Sequence, residues 1–276
     1  MFVSKLRRRW LEQNTLLCVG LDPDLARFPA GFRGQKNAIF EFNRAIIDAT
    51  ADLVCAFKPQ VAHYSACGAE DQLVATIDYV RQMHPEIAIL LDAKRGDIGS
   101  TAEMYAREAF DRYGADAVTV NPYMGFDAIA PFLARSDKGV VVLCRTSNPG
   151  ARTFQDLKVD GTALYLRVAE EAVRRWNEHG NVLLVAAATY PAELRELREL
   201  AGDVPFLVLG VGEQGASVSD AVECGQDSAG SGILISTSRA VLYASSGADF
   251  ALAARQKALT LRDQINDARR ARRVAS

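Results

Sequence analysis

The sequence predicts a single (β/α)8 barrel, the TIM-barrel class, and three observations carry that prediction. Eight short apolar, β-branched runs recur along the 276 residues. Segments with helical character separate them, and several runs end in charged or hydroxyl side chains. Near-continuous hydrophobicity within a run is the pattern of a parallel strand covered on both faces. Eight strand–helix units in this length favour closure into one barrel. An open doubly wound sheet is the alternative, because local patterns do not show closure.

Taken in order, the N-terminal "MFVSKLRRRWLEQN" gives a short helix. Polar "LEQN" follows its basic cluster where a signal peptide would carry an apolar core. The first strand is "TLLCVGLD" (15–22) and the second "LVCAFKP" (53–59). A helix over 69–83 leads to the third, "IAILLDAK" (87–94). The next helix, 100–114, opens on the capping-box pair Ser100 and Glu103 and stops at Gly114. The fourth and fifth strands are "DAVTVNP" (116–122) and "GVVVLCR" (139–145). A long loop, "TSNPGARTFQDLKVDG" (146–161), follows, of a length typical of binding loops and lids. A helix over 161–180 precedes the sixth strand, "NVLLVAAA" (181–188). The seventh is "PFLVLGVG" (205–212) and the eighth "SGILIST" (231–237). A last helix near 248–272 ends in the basic "RRARR", a solvated face or frayed tail. No low-complexity linker divides the chain, so residues 1–276 read as one domain.

Composition narrows the function classes. A net charge of -2 gives no general electrostatic reason to expect nucleic acid or an anionic membrane as partner. No stretch approaches the roughly 18 apolar residues of a membrane span. Cys18, Cys55 and Cys144 lie in apolar runs, Cys67 and Cys224 in or near helical segments. Irregular spacing suggests neither a disulfide framework nor a zinc site, and reads as reduced packing cysteines of a cytoplasmic protein. His63, His84 and His179 form no metal-ligand spacing.

A barrel places its chemistry at the carboxyl ends of its strands. Here Asp22 ends the first, Lys58 the second, and Asp92 and Lys94 the third. Thr146 and Ser147 follow the fifth, and the eighth runs into Ser236, Ser238 and Arg239. Two apart on a strand, Asp92 and Lys94 share a face. If that face is the interior, Ala93 packs outward against helices. Lys58 reaches the same space from the neighbouring strand, and Asp97 completes an alternating Lys–Asp–Lys–Asp array. Mutual compensation keeps such charges ionised in a partly desolvated site. It also sets a lysine proton donor beside a carboxylate able to repel a substrate carboxylate. The competing reading is a structural ion-pair network with Asp97 or Ser100 capping a helix. Asp22 and Lys58 at matching strand ends favour the active site.

G-x-G-x-x-G at Gly210, Gly212 and Gly215 follows the seventh strand. Too little chain remains after it for the rest of a dinucleotide-binding domain. A phosphate loop after barrel strand seven fits better, with Arg239 after strand eight to grip the same anion.

Together these residues resemble one family. "LLDAKRGDIGST" (90–101), with D-x-K-x-x-D-I-x-x-T, is similar to the signature of orotidine 5'-phosphate decarboxylases. "FKPQ" (57–60), "TSNPG" (146–150) and the Gly-Gln-Gly loop with its downstream arginine extend the likeness over nearly the whole chain. "DAKRGDIGSTA" with "NPYMG" is most similar to the bacterial branch with larger subunits.

The resemblance implies decarboxylation of orotidine 5'-monophosphate to uridine 5'-monophosphate and CO2, the last step of de novo pyrimidine nucleotide synthesis. It implies neither metal nor organic cofactor. Asp92 would face the substrate carboxylate and Lys94 would protonate C6, with Lys58 and Asp22 on the ribose hydroxyls. Ser147 would bind the pyrimidine, Gln214 would lie between base and phosphate, and Arg239 would hold the phosphate. Ile98, Gly212 and Ser238 join the substrate-binding set. In a homodimer, Asp97 and Thr101 would come from the partner subunit. Glu213 and Ala216 stand where relatives commonly carry Ala and Gly. Rival readings are a Mg²⁺-dependent sugar-phosphate decarboxylase or synthase, a Schiff-base aldolase, and a non-catalytic phosphate-binding barrel. The Mg²⁺ enzymes resembling this family hold their metal with a carboxylate at the end of strand two, where this chain has Lys58.

Overall fold

Eight parallel strands close on themselves in the computed structural model, which describes residues 1–211 and 215–275. They are β1 (Leu17–Leu21), β2 (Ala56–Pro59), β3 (Ala88–Arg95) and β4 (Ala117–Val120). The circuit continues through β5 (Gly139–Leu143), β6 (Val182–Ala187), β7 (Phe206–Leu209) and β8 (Ile233–Thr237). Each pairs with its sequence neighbours, and β1 closes the ring on β8 through Leu17 opposite Ile235 and Val19 opposite Thr237. All eight strands read from the sequence are present, and the closed order eliminates the open doubly wound sheet. Their apolar runs are buried along their length because helices cover the outside while side chains fill the inside.

The N-terminal helix Phe2–Glu12 covers the far end of the barrel. Its Phe2, Leu6 and Trp10 are buried, and Lys5 Nζ bonds Asp116 at 2.9 Å. Arg9 Nη2 donates to the Ala51 and Val54 carbonyls, both at 2.7 Å. Gly139 makes room for this closure, since a Cβ there would collide with the Phe2 ring. The opposite end is left for the strand-to-helix loops.

Three local expectations need correction. The helix after β3 is Gly99–Arg107, with Ile98 at its N-cap and no side-chain cap bond. The Ser100–Glu103 capping box therefore does not form; Glu103 instead faces Arg135 at 3.7 Å. Past Arg107 the helix widens into a π turn, Glu108–Arg112, and Gly114 ends it at φ +66. The segment 146–161 is not a bare loop. It holds the helix Arg152–Gln155 and one arm of a small hairpin, Lys158–Val159 paired with Thr162–Ala163. Asp160 and Gly161 both take positive φ, +50 and +80, as a tight hairpin turn requires. That hairpin consumes the start of the helix expected over 161–180, which runs only Leu164–Arg174. The last helix is Phe250–Ala275. No helix among the described residues is long and apolar enough to cross a membrane.

Candidate active site

The pairing of β3 with β4 is interrupted where the charges begin. Leu91 lies opposite Val118 and Arg95 opposite Val120, so Asp92, Ala93 and Lys94 bulge out against Thr119 alone. Lys94 takes φ +49, in the left-handed region that a side chain makes costly. Thr119 holds this conformation: its buried Oγ1 accepts the Ala93 N–H at 3.0 Å and the Lys94 N–H at 2.9 Å. Alternation along a flat pleat predicted that Asp92 and Lys94 share a face. They do meet, but through the bulge, and Ala93 is partly buried against the core.

Asp92 is 4% exposed and receives four donors. Oδ1 accepts Lys94 Nζ at 2.6 Å and Thr119 Oγ1 at 2.9 Å. Oδ2 accepts Lys58 Nζ at 3.1 Å and Gln60 Nε2 at 3.2 Å. Burial by itself pushes this carboxyl up. The charges of Lys58 and then Lys94, with hydrogen bonds from Lys94 and Thr119, outweigh burial and hold it down at about 2. Burial likewise opposes the Lys58 cation, but Asp92 and Asp22 raise its pKa above the ordinary lysine value. Both groups are therefore ionised at neutral pH.

A cavity of about 210 Å³ opens beside this array. Asp22, Lys58, Gln60 and Asp92 line it together with Ser147, Ser236, Ser238 and Arg239. Asp22 Oδ1 and Ser238 Oγ are buried with no hydrogen-bond partner among the described residues. Leaving such atoms unpaired costs about 1–3 kcal/mol each, so they are suited to a polar ligand. Gly20 lets these two residues approach, because a Cβ there would sit 2.8 Å from Ser238 Cβ and 3.3 Å from Asp22 Oδ2. The Tyr64 and Tyr243 hydroxyls fix the Asp22 segment from behind, donating to the Leu21 and Asp22 carbonyls.

Other residues singled out in the sequence lie elsewhere. Asp97 Oδ1 accepts its neighbour's Ile98 N–H at 2.8 Å and forms no ion pair among the described residues. Ile98 and Thr101 are exposed. Gly212, Gln214 and the variant Glu213 lie outside the described residues; Ala216 is bridged to Val211 at the base of that loop. Arg95 turns away from the mouth and grips Glu108 of the π turn with two hydrogen bonds, at 3.0 and 3.2 Å. His63 holds the turn after β1, its Nδ1 3.0 Å from the Pro23 carbonyl.

Sequence reasoning assigned no role to Thr119, Gln60, Gly20 or Arg145. Thr119 is the lone hydroxyl of β4, and Gln60 directly follows the "FKP" strand end. Arg145, fully buried, stacks 4.1 Å over Tyr190 and reaches Gln155 and Asp156 at 3.3 and 3.1 Å. It thereby ties the segment after β5 to the barrel. No group of three or more His, Cys, Asp or Glu among the described residues is arranged to hold a metal ion.

Comparison with known proteins gives a consistent result. The family model described as orotidine 5'-phosphate decarboxylase / HUMPS family matches residues 15–252. The orotidine 5'-phosphate decarboxylase of Cellvibrio japonicus (strain Ueda107) is 57% identical over 97% of this chain and 99% of its own. That of Janthinobacterium sp. (strain Marseille) is 56% identical over 96% and 98%. The Leishmania donovani OMP decarboxylase structure superposes with a TM-score of 0.84 at 38% identity, covering 97% of this chain and 98% of that one. The Leishmania donovani UMP synthase structure gives 0.86 at 39% identity over 96% of this chain, which spans 56% of that longer one.

The Asp92 environment makes a prediction about acid. Its carboxyl is lowered in the fold from the ordinary 3.8 to about 2, so its contribution to stability is complete above about pH 4. It is lost as pH falls toward 2, and amounts to roughly 2 kcal/mol. Asp92→Asn should therefore lack this part of the acid dependence in urea unfolding followed between pH 5 and 2. Parallel stability curves for variant and wild type would show that the lysines do not hold the carboxylate down.

Proposed function

Because this chain belongs to the orotidine 5'-phosphate decarboxylase / HUMPS family, we infer the chemistry at its barrel mouth from how these charges would receive that family's substrate. The enzyme is a carboxy-lyase that converts orotidine 5'-monophosphate to uridine 5'-monophosphate and CO2. The observation that carries the mechanistic reading is the continuous Lys58–Asp92–Lys94 chain of contacts beside the cavity.

We propose that the substrate's C6 carboxylate is bound next to Asp92. The C6–carboxylate bond breaks, CO2 leaves, and the electron pair remains on C6 with no adjacent carbonyl to take it up. Stabilisation must then come from fixed charge already in place, supplied by the Lys94 ammonium. Lys94 passes its proton to C6 and recovers one from solvent. Lys58 and Asp22 bind the ribose hydroxyls, Ser147 the pyrimidine, and Arg239 the phosphate, with Ser238 beside it. Gln214 and Gly212 serve the base and phosphate from the loop after β7. Energy from the phosphate, remote from the reacting carbon, is available to organise the site and close the segment 146–161.

Neither metal nor organic cofactor enters this reading. Its support is Lys58, whose cation occupies the strand-two end, 3.1 Å from Asp92. We further propose a cytoplasmic homodimer with shared sites. Asp97 and Thr101, with Ile98 beside them, do not line their own cavity and would complete the partner's. Exposed Ile98, Met104, Tyr123, Met124 and Phe126 cluster in sequence just past β3 and β4, and Tyr123 is 87% exposed. Apolar side chains so displayed favour burial against another surface. All five cysteines are free, four of them buried, as suits a reducing compartment.

Purified enzyme should turn over orotidine 5'-monophosphate in the presence of EDTA, and Lys94→Ala should lose at least about a thousandfold in kcat. Activity abolished by EDTA and restored by Mg²⁺ would replace this reading with that of a metal-dependent sister enzyme. Mixing inactive Asp97→Ala and Lys94→Ala dimers should restore up to about a quarter of wild-type activity through hybrid dimers carrying one intact site. No recovery despite demonstrated subunit exchange would rule out shared sites.

A further inference from the structure

We infer that Thr119 is a positioning residue for the decarboxylation, fixing Asp92 and Lys94 together through a single hydroxyl. The inference rests on the reading above, in which those two residues meet the substrate. A threonine hydroxyl has one proton to give and two lone pairs to receive. Both lone pairs of Thr119 are occupied, by the N–H groups of Ala93 and Lys94 at 3.0 and 2.9 Å. Its proton is therefore directed to the remaining neighbour in range among the described residues, Asp92 Oδ1 at 2.9 Å. That oxygen also accepts Lys94 Nζ at 2.6 Å. Thr119 thus touches the backbone of the proton donor and the carboxylate that holds its ammonium.

The backbone contact matters because Lys94 is left-handed at φ +49. A side chain in that region is unfavourable by about 1–2 kcal/mol and persists only where its surroundings impose it. β4 supplies no backbone partner for Ala93 and Lys94 in the bulge; the Thr119 side chain replaces it. Thr119 itself is 1% exposed, so its hydroxyl meets these groups and not bulk solvent. Without the hydroxyl, two part-buried N–H groups lose this acceptor, and the strand would relax toward a regular ladder. The Lys94 ammonium would then move from C6 while Asp22, Ser147 and Arg239, which hold the rest of the ligand, stay in place.

Thr119→Val removes the hydroxyl at nearly constant shape, and Thr119→Ser retains it. With wild-type turnover as the control for the overall reading, Thr119→Val should lose about 10- to 100-fold in kcat, the scale of a 1 Å misplacement at a reacting centre. KM should change by less than about threefold, because Asp22, Ser147 and Arg239, proposed to hold the ribose, base and phosphate, are untouched. Thr119→Ser should recover kcat to within about threefold of wild type, since the same three hydrogen bonds can form. Thr119→Ala provides a second hydroxyl deletion should the valine variant not fold. A folded Val or Ala variant with wild-type kcat would overturn the inference, as would Thr119→Ser matching Thr119→Val. If both deletions unfold while Thr119→Ser folds and works, the hydroxyl serves the fold and the positioning role is also wrong. Wild type that fails to turn over would instead count against the decarboxylase reading itself.

Discussion

Asp92 lies buried with two donors on each carboxylate oxygen, and the other charges of the barrel mouth are arranged around it. A carboxylate has about four lone-pair directions, so this one is saturated. Rotation would break bonds to three different strand ends, which leaves the negative charge at one place. Lys58, itself buried, needs that charge as much as Asp92 needs the lysine. A second carboxylate brought beside this one can share Lys94 but cannot push Asp92 aside. In the proposed mechanism the resulting repulsion would disappear when CO2 leaves, whereas the Lys94 ammonium would stay to meet the electron pair on C6. Both effects would favour the transition state over the bound ground state.

Fixing such an array requires a rigid frame and a local exception to it. The frame is the parallel barrel, in which pairing of β1 with β2 sets Gly20 beside Lys58 and leaves space for Asp22 and Ser238. The exception is the β3 bulge, where three residues face Thr119 and Lys94 takes a strained backbone. Arg95, the next charge along, secures the far side of the bulge by clamping Glu108 of the π turn. Of the four charges in "DAKRGD", Asp92 lines the cavity with Lys94 bonded to it, and Arg95 is structural. Asp97 does not line that cavity.

Much of the fold was readable in the chain because buried parallel strands leave continuous apolar runs, and all eight were found in this way. Strand-end position also brought Asp22, Lys58, Asp92, Ser147, Ser238 and Arg239 to one cavity. What escaped were features with no local signal. A bulge depends on how two strands slip past each other, and "LLDAKR" reads the same with or without one. Thr119 resembles any β-branched strand residue until its hydroxyl is seen against the β3 backbone. Ser100 and Glu103 have the spacing of a capping box, yet the chain enters the helix through Gly99 at φ +53 and Glu103 is drawn to Arg135. The Asp160–Gly161 turn did carry a local signal, and it was hidden inside a segment read only for its length.

Opposition between a fixed Asp92 charge and the substrate carboxylate would be read from binding in a background without turnover. Calorimetric affinities of Lys94→Ala and of the Asp92→Asn/Lys94→Ala double variant would be compared for orotidine 5'-monophosphate and for uridine 5'-monophosphate, which lacks the carboxylate. Losing the Asp92 charge should tighten orotidine 5'-monophosphate at least about tenfold relative to uridine 5'-monophosphate. Equal changes for the two ligands, or a relative weakening of the carboxylated one, would contradict it.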